Sequence, residues 1–142
     1  MPPLIPNERT AGQAAMVSRA RVLLVDEDLR DLEYYRAILL EQGYEVRPFS
    51  SYAEAESCLG NEIFDFIVVG QGSCVFEGRR VLERALEIDR RTPVLVLARC
   101  LDMGCYLEAM QLGAVDYLEK PLSPSEMARA VATHLRPRSL AA

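Results

Sequence analysis

Ile63-Phe-Asp-Phe-Ile-Val-Val69 holds a single polar residue in seven and runs directly into Gly70-Gln-Gly72. A strand with one wet face alternates apolar and polar residues, whereas a strand covered on both faces has no need to. The run therefore reads as a strand buried between two helical layers. Val22-Leu-Leu-Val25 and Val94-Leu-Val-Leu97 share this continuous, β-branched character, and Tyr44-Glu-Val46 and Val115-Asp-Tyr-Leu118 complete a set of five. Between the runs, apolar residues recur at helical spacing: Leu32, Tyr35 and Leu39 beside Ile38; Val81, Leu82, Ala85 and Leu86; Met103, Leu107 and Met110; Met127, Val131 and Leu135. Gly43, Gly60 and Gly113 stand where a helix would end in a left-handed residue. Ser51 with Glu54 and Ser123 with Glu126 have capping-box spacing, and Pro124 suits a first helical position. Five strand-helix units with right-handed crossovers predict an α/β three-layer sandwich, a five-stranded parallel sheet with five helices.

The 142 residues carry 16 basic and 21 acidic side chains, a net charge of −5. The length suits one domain with short tails. We expect residues 1–20, which open with Pro2, Pro3 and Pro6, to form a flexible leader with a helical turn near Gln13 to Val17. Residues 21–136 would be the folded domain and 137–142 a tail. The acidic balance argues against holding nucleic acid by bulk electrostatics, and no apolar run is long enough for a membrane span. The opening segment, with Glu8, Arg9 and Arg19, is no secretory signal, so a cytoplasmic protein is expected. Cys58, Cys74, Cys100 and Cys105 form no CxxC pair and are expected to be reduced, mostly buried thiols. A single His134 argues against most metal sites and against a Ser-His-Asp triad. Fifteen of the 16 basic residues are Arg, and the lone lysine is Lys120.

In a sheet of this kind the working groups gather at the carboxyl ends of the strands. Those positions are Asp26, Glu27 and Asp28 after the first strand, Gly70 to Cys74 after the third, Ala98 to Cys100 after the fourth, and Glu119-Lys120-Pro121 after the fifth. Together, Val22-Leu-Leu-Val-Asp-Glu-Asp28, Phe64-Asp-Phe-Ile-Val-Val69, Thr92-Pro-Val-Leu-Val-Leu97 and Gly113-Ala-Val-Asp-Tyr-Leu-Glu-Lys-Pro121 resemble a response-regulator receiver domain, in order and in register from Arg21 to Arg136. The resemblance implies a flavodoxin-like sheet of order 2-1-3-4-5. It also implies an acidic pair that holds Mg²⁺ and an aspartate ending strand 3 that accepts a phosphoryl group from a histidine kinase. A Thr or Ser would end strand 4, a Lys would precede a Pro after strand 5, and an aromatic residue on strand 5 would turn inward when the domain is switched on. Asp26 and Glu27 match the acidic pair, Lys120 the lysine and Tyr117 the aromatic residue. The acceptor position, however, is Gly70, and the hydroxyl position is Ala98.

These departures have direct chemical consequences. Glycine offers no side chain to attack a phosphoryl donor, and Ala98 has no hydroxyl to donate. Asp26 and Glu27 without a third carboxylate would hold Mg²⁺ weakly. We therefore expect a non-enzymatic receiver-like module in phosphorelay signalling that binds proteins without aspartyl phosphorylation and has no tightly held cofactor. Asp26 and Glu27 side by side would repel each other unless a cation lies between them, and Lys120 or Arg99 is expected to take the metal's place.

Partners implied by the resemblance are a histidine kinase, another response regulator or an output protein. A homodimer would use helix 4, strand 5 and helix 5 (Leu101 to Arg136), with Met103, Tyr106 and Met110 as contact residues. The chain's end soon after the fifth helix suits a stand-alone domain or a fragment. One alternative is a conventional phospho-accepting receiver with a relocated acceptor. Asp65 lies at the far end of the strand, suited to capping or a surface contact, and neither Ser73 nor Gln71 has an evident general base. A flavodoxin-like flavin binder is disfavoured because Asp26-Glu27-Asp28 is acidic where an anion cradle needs Gly, Ser or Thr.

Other features have plainer readings. Gly70-Gln-Gly72 lacks the third glycine of a dinucleotide fingerprint and reads as a flexible turn. Cys74, Cys100 and Cys105 share one rim, but Cys74 has no basic neighbour to activate it as a thiol sensor. Arg79, Arg80, Arg84, Arg90 and Arg91 interleave with Glu83, Glu87 and Asp89 as a solvated face, and His134 suits a helix end.

Overall fold

The computed structural model describes residues 19–135; the expected leader up to residue 18, with its helical turn, and the tail from residue 136 lie outside the described residues. The elements are β1 (Arg21–Val25), α1 (Leu29–Glu41), β2 (Glu45–Phe49), α2 (Tyr52–Leu59), β3 (Phe66–Gly70), α3 (Arg79–Ile88), β4 (Val94–Ala98), α4 (Met103–Leu112), β5 (Asp116–Glu119) and α5 (Pro124–His134). The five strands form one parallel sheet in the order β2-β1-β3-β4-β5. This is the expected three-layer sandwich.

The near-continuous apolar strands make sense once both faces are covered. Leu23, Val25, Ile67, Val69, Val94 and Val96 point to one side and pack with Ala55 and Cys58 of α2, Val81, Leu82 and Ala85 of α3, and Cys105 and Ala109 of α4. Their neighbours Val22, Leu24, Phe66, Val68, Leu95 and Leu97 face the other way, onto Tyr35, Ile38 and Leu39 of α1 and Met127 and Val131 of α5. Each side chain removed from water contributes about 1.5–3 kcal/mol, so this double burial dominates folding.

Several boundaries differ from the sequence reading. β3 begins at Phe66, because Ile63 is exposed and the chain before it enters the sheet as a loop. β2 runs on to Phe49, past Arg47 and Pro48. It is an edge strand, where mixed polarity is tolerated and proline's missing N–H is harmless. Gly43 and Gly113 adopt φ of +96° and +116°, whereas Gly60 sits at −75° in ordinary helical space. On α4 the Met103, Leu107 and Met110 spacing does not mark the core stripe. Cys105 and Ala109 face the sheet, Met103 is 70% exposed and Leu107 is exposed too, since small residues let the helix lie close. Ser123 and Glu126 form a full capping box at α5, with Pro124 in the first turn.

Register delivers the carboxyl ends to a common rim. Val25 aligns with Val69, Gly70 with Leu97, and Ala98 with Glu119. The Lys120 amide then donates to the Ala98 carbonyl at 2.8 Å. After the cis Lys120–Pro121 peptide, the Leu122 amide donates to the buried Tyr35 hydroxyl at 3.0 Å, pinning the loop that carries Lys120 to α1. Tyr35→Phe should leave that amide unpaired and lower stability by about 1–3 kcal/mol in urea denaturation.

Candidate functional site

Asp26 leaves β1 at the centre of the rim and is 3% exposed. A carboxylate removed from water needs charge and hydrogen-bond partners. Its Oδ1 accepts the Asp28 amide at 2.9 Å, and its Oδ2 accepts Lys120 Nζ at 2.6 Å. Lys120, whose side chain is 11% exposed, also donates to Asp31 Oδ2 at 2.8 Å. Burial alone would lower the lysine's pKa, but the bonds to Asp26 and Asp31 outweigh it and hold the ammonium above its ordinary value. Arg99, 64% exposed, forms an outer layer on Asp28 Oδ2 at 2.5 Å and Asp31 Oδ2 at 3.1 Å. Both cations named from the sequence therefore lie on this acidic cluster, Lys120 inside and Arg99 outside.

The carboxylate that shares Lys120 with Asp26 is Asp31 rather than Glu27, which is exposed. Asp28 caps α1 by accepting the amides of Arg30 and Asp31, which turns Asp31 toward the rim. From sequence alone, an acidic residue in a first helical turn reads as a complement to the helix dipole, which hid Asp31's role.

At the end of β3 the site has closed over the position without a side chain. A Cβ built on Gly70 would stand 2.8 Å from Asp26 Oδ2 and 3.0 Å from its carboxyl carbon. The Asp26 side chain is pinned by Lys120 and the Asp28 amide, so it cannot yield cheaply. Tyr52 reaches over from α2, its hydroxyl donating to the Gly70 carbonyl at 2.9 Å; burial and the nearby Asp26 and Glu27 push that phenol's pKa upward. Among the described residues no three carboxylate, histidine or cysteine groups converge as a metal site. Mg²⁺ at Asp26 would have to compete with an ammonium at 2.6 Å, so the residues as arranged suit that ion poorly.

The other candidate positions also have definite places. Ala98 is buried in the same cluster as Tyr117. Tyr117 is 6% exposed and turned into the protein. Its hydroxyl donates to Gln71 Oε1 and accepts the Asp102 amide at 3.1 Å. Gln71, read from sequence as part of a flexible turn, is instead a buried residue. Nothing local in Gly70-Gln-Gly72 signals this, because its partner is 46 positions away. Ser73 donates to Glu77 through its amide and hydroxyl, and Asp65 is buried at the opposite end, accepting the Arg21 amide at 2.8 Å, rather than making a surface contact.

Cys58 and Cys105 are buried but Cys74 and Cys100 are exposed, so the thiols are evenly divided rather than mostly buried. The Cys105 thiol donates to the Cys74 carbonyl at 3.3 Å, and burial followed by the Asp102 contact pushes its pKa up to about 11, the reverse of activation. Arg79 pairs with Glu83 and Glu108, and Arg84 with Glu87, as expected of a solvated face.

The ion pairs make two predictions. Lys120→Met leaves Asp26 buried without its cation and should cost about 3–5 kcal/mol in urea denaturation, while Arg99→Ala should hardly move the midpoint. Among the described residues three carboxylates lie below their ordinary pKa: Asp28 through the Asp31 amide and then Arg99, Glu62 through Arg21 and then Arg47, and Glu77 through the Ser73 hydroxyl. Their stabilisation is present above about pH 4 and lost as pH falls through the lower folded values, while that of Lys120 is complete below about pH 10 and lost above. Thermal melts should therefore show a plateau from about pH 5 to 9, with a fall on either side.

Comparison with known proteins bears on the fold and the family. The family described as response regulator receiver domain matches residues 22–132. The alginate biosynthesis transcriptional regulatory protein AlgB of Pseudomonas aeruginosa is 33% identical over 124 residues, covering 87% of this chain and 28% of that protein. The response regulator PleD of Caulobacter vibrioides is 31% identical over 132 residues, 89% of this chain and 28% of its own length. The chain thus spans under a third of the length of these relatives. Among solved structures, a CheY-like receiver domain from Methanospirillum hungatei superposes with a TM-score of 0.76 at 24% identity, covering 82% of this chain and 93% of that one. The beryllofluoride-activated NtrC4 receiver domain dimer superposes at 0.73 and 25% identity, covering 81% and 95%. With its fold and its sequence in agreement over most of its length, this chain belongs to the response-regulator receiver domain family of two-component signalling.

Proposed function

We propose that this receiver domain works as a protein-interaction module without aspartyl phosphorylation. The observation that supports the reading most is the contact at Gly70: the position has no nucleophile, and the volume a side chain would enter is occupied by an Asp26 carboxylate bonded to Lys120. In this reading the ammonium does the electrostatic work that a metal ion would otherwise do beside Asp26. Ala98 supplies no hydroxyl, and the Tyr117 hydroxyl donates to Gln71 and accepts from the Asp102 amide. Mg²⁺ has at most a weak place here, and the function is binding rather than catalysis.

Its partners are proteins: a histidine kinase, another response regulator or an output protein. The face of α4, β5 and α5 is the surface we assign to docking or self-association. Leu101, Met103, Tyr106 and Leu107 are exposed on it, and the NtrC4 receiver is a dimer. Its setting is the cytoplasm, which suits four cysteines without a disulfide. No helix among the described residues is long and apolar enough to cross a membrane.

The direct test is incubation with a small phosphodonor and Mg²⁺ followed by intact-mass measurement. Unchanged mass is expected, and a gain of one phosphoryl group overturns the reading. Gly70→Asp should lower stability by about 1–3 kcal/mol without Mg²⁺, since Asp26 must move aside. Millimolar Mg²⁺ should then raise the variant's melting temperature but leave the parent's unchanged.

A further inference from the structure

The hydroxyl of Tyr117 is a second buried polar group at the rim, and its surroundings are built to hold it. Gln71 is fixed on three sides. Its amide donates to the Leu97 carbonyl at 2.8 Å, extending the β3–β4 ladder, and its carbonyl accepts the Gly78 amide at 3.1 Å. Its side-chain Nε2 donates to the Ser73 carbonyl at 3.2 Å. A carbonyl can only accept, so this last bond decides which end of the carboxamide faces Tyr117: the oxygen. The Tyr117 hydroxyl donates to that oxygen and accepts the Asp102 amide, so its donor and one acceptor site are both used. Asp102 is the N-cap of α4, its Oδ1 accepting the Cys105 amide at 2.8 Å.

We propose that Gln71 is a positioning residue that keeps Tyr117 turned inward, and through it fastens the first turn of α4 to the β3–α3 loop, with no phosphoryl group needed. The inference rests on the reading of this domain as a module that works without phosphorylation, and deepens it by naming what holds the docking face instead. The bond from Cys105 Sγ to the Cys74 carbonyl joins the same two segments a second time. The ring of Tyr117 also packs edge-on against Tyr106 of α4, with centroids 5.6 Å apart. Rotating Tyr117 outward would leave the Gln71 oxygen and the Asp102 amide without partners at once. An unpaired buried group shifts such an equilibrium by roughly 10- to 100-fold. The exposed Leu101, Met103, Tyr106 and Leu107 are thereby presented in one arrangement.

Amide hydrogen exchange on the full chain, read residue by residue by NMR, tests this. The Asp102 amide should exchange slowly in the parent protein. In Gln71→Met, close in size but without the amide oxygen, it should exchange roughly 10- to 100-fold faster, while Val68 in the central strand keeps its protection. Equal Asp102 exchange in the two proteins overturns the proposal. Should the variant fail to fold, the parent decides: nuclear Overhauser contacts from the Tyr117 ring to the Gln71 side-chain amide support it, and their absence overturns it. Adding phosphodonor and Mg²⁺ to the same sample separates the two readings. A gain in mass with Asp102 protection retained ends the non-phosphorylated reading and leaves the anchoring in place. Unchanged mass with unprotected Asp102 ends the anchoring alone.

Discussion

The ion pair between Asp26 and Lys120, 2.6 Å long and almost wholly withdrawn from water, is the constraint that organises the working end of this domain. Two charges in such a place are tolerated only when each answers the other and their remaining bonding capacity is met. That demand reaches several elements. β5 must end in register with Ala98 so that Lys120 arrives at the rim, and the loop after it must be tied down, which the Tyr35 hydroxyl does. α1 must begin at Asp28 so that its first turn brings Asp31 to the second hydrogen of the ammonium. A side chain at residue 70 would enter the space this carboxylate occupies and force it aside.

A second polar unit lies beside it, where Gln71, Tyr117 and Asp102 join the β3–α3 loop, β5 and the start of α4. The two units are built on different physics. The first is a charge cluster with an exposed outer layer at Arg99, open to salt and pH. The second consists of uncharged groups whose hydrogen bonds are hard to replace once water is excluded. They share a rim because β3 ends at Gly70, directly before Gln71, and β5 carries Tyr117 and ends directly before Lys120.

Much of the fold was legible because it depends on local pattern. Continuous apolar runs marked the buried strands, and Ser123, Glu126 and Pro124 marked the start of α5 through interactions within one turn. The misreadings arose where burial on a helix was chosen by fit. On α4 the larger Met103 and Leu107 are outside and the smaller Cys105 and Ala109 inside, since closeness to the sheet favours small volume. Gly60 shows the same limit, for a glycine after a helix permits a left-handed turn without requiring one.

At the site, the sequence by itself determined which groups were present and which were missing: Asp26, Glu27, Lys120 and Arg99 after strand ends, Tyr117 on the fifth strand, and no side chain at Gly70 or hydroxyl at Ala98. Those follow from residue identity and strand order alone. Only the tertiary structure decided the pairing. Asp31 rather than Glu27 shares the ammonium, and Gln71, read as part of a flexible turn, meets Tyr117; these partners lie 89 and 46 positions apart in the chain, beyond the reach of local pattern. The choice was made by which groups remained to be satisfied once the sheet had excluded water from the rim.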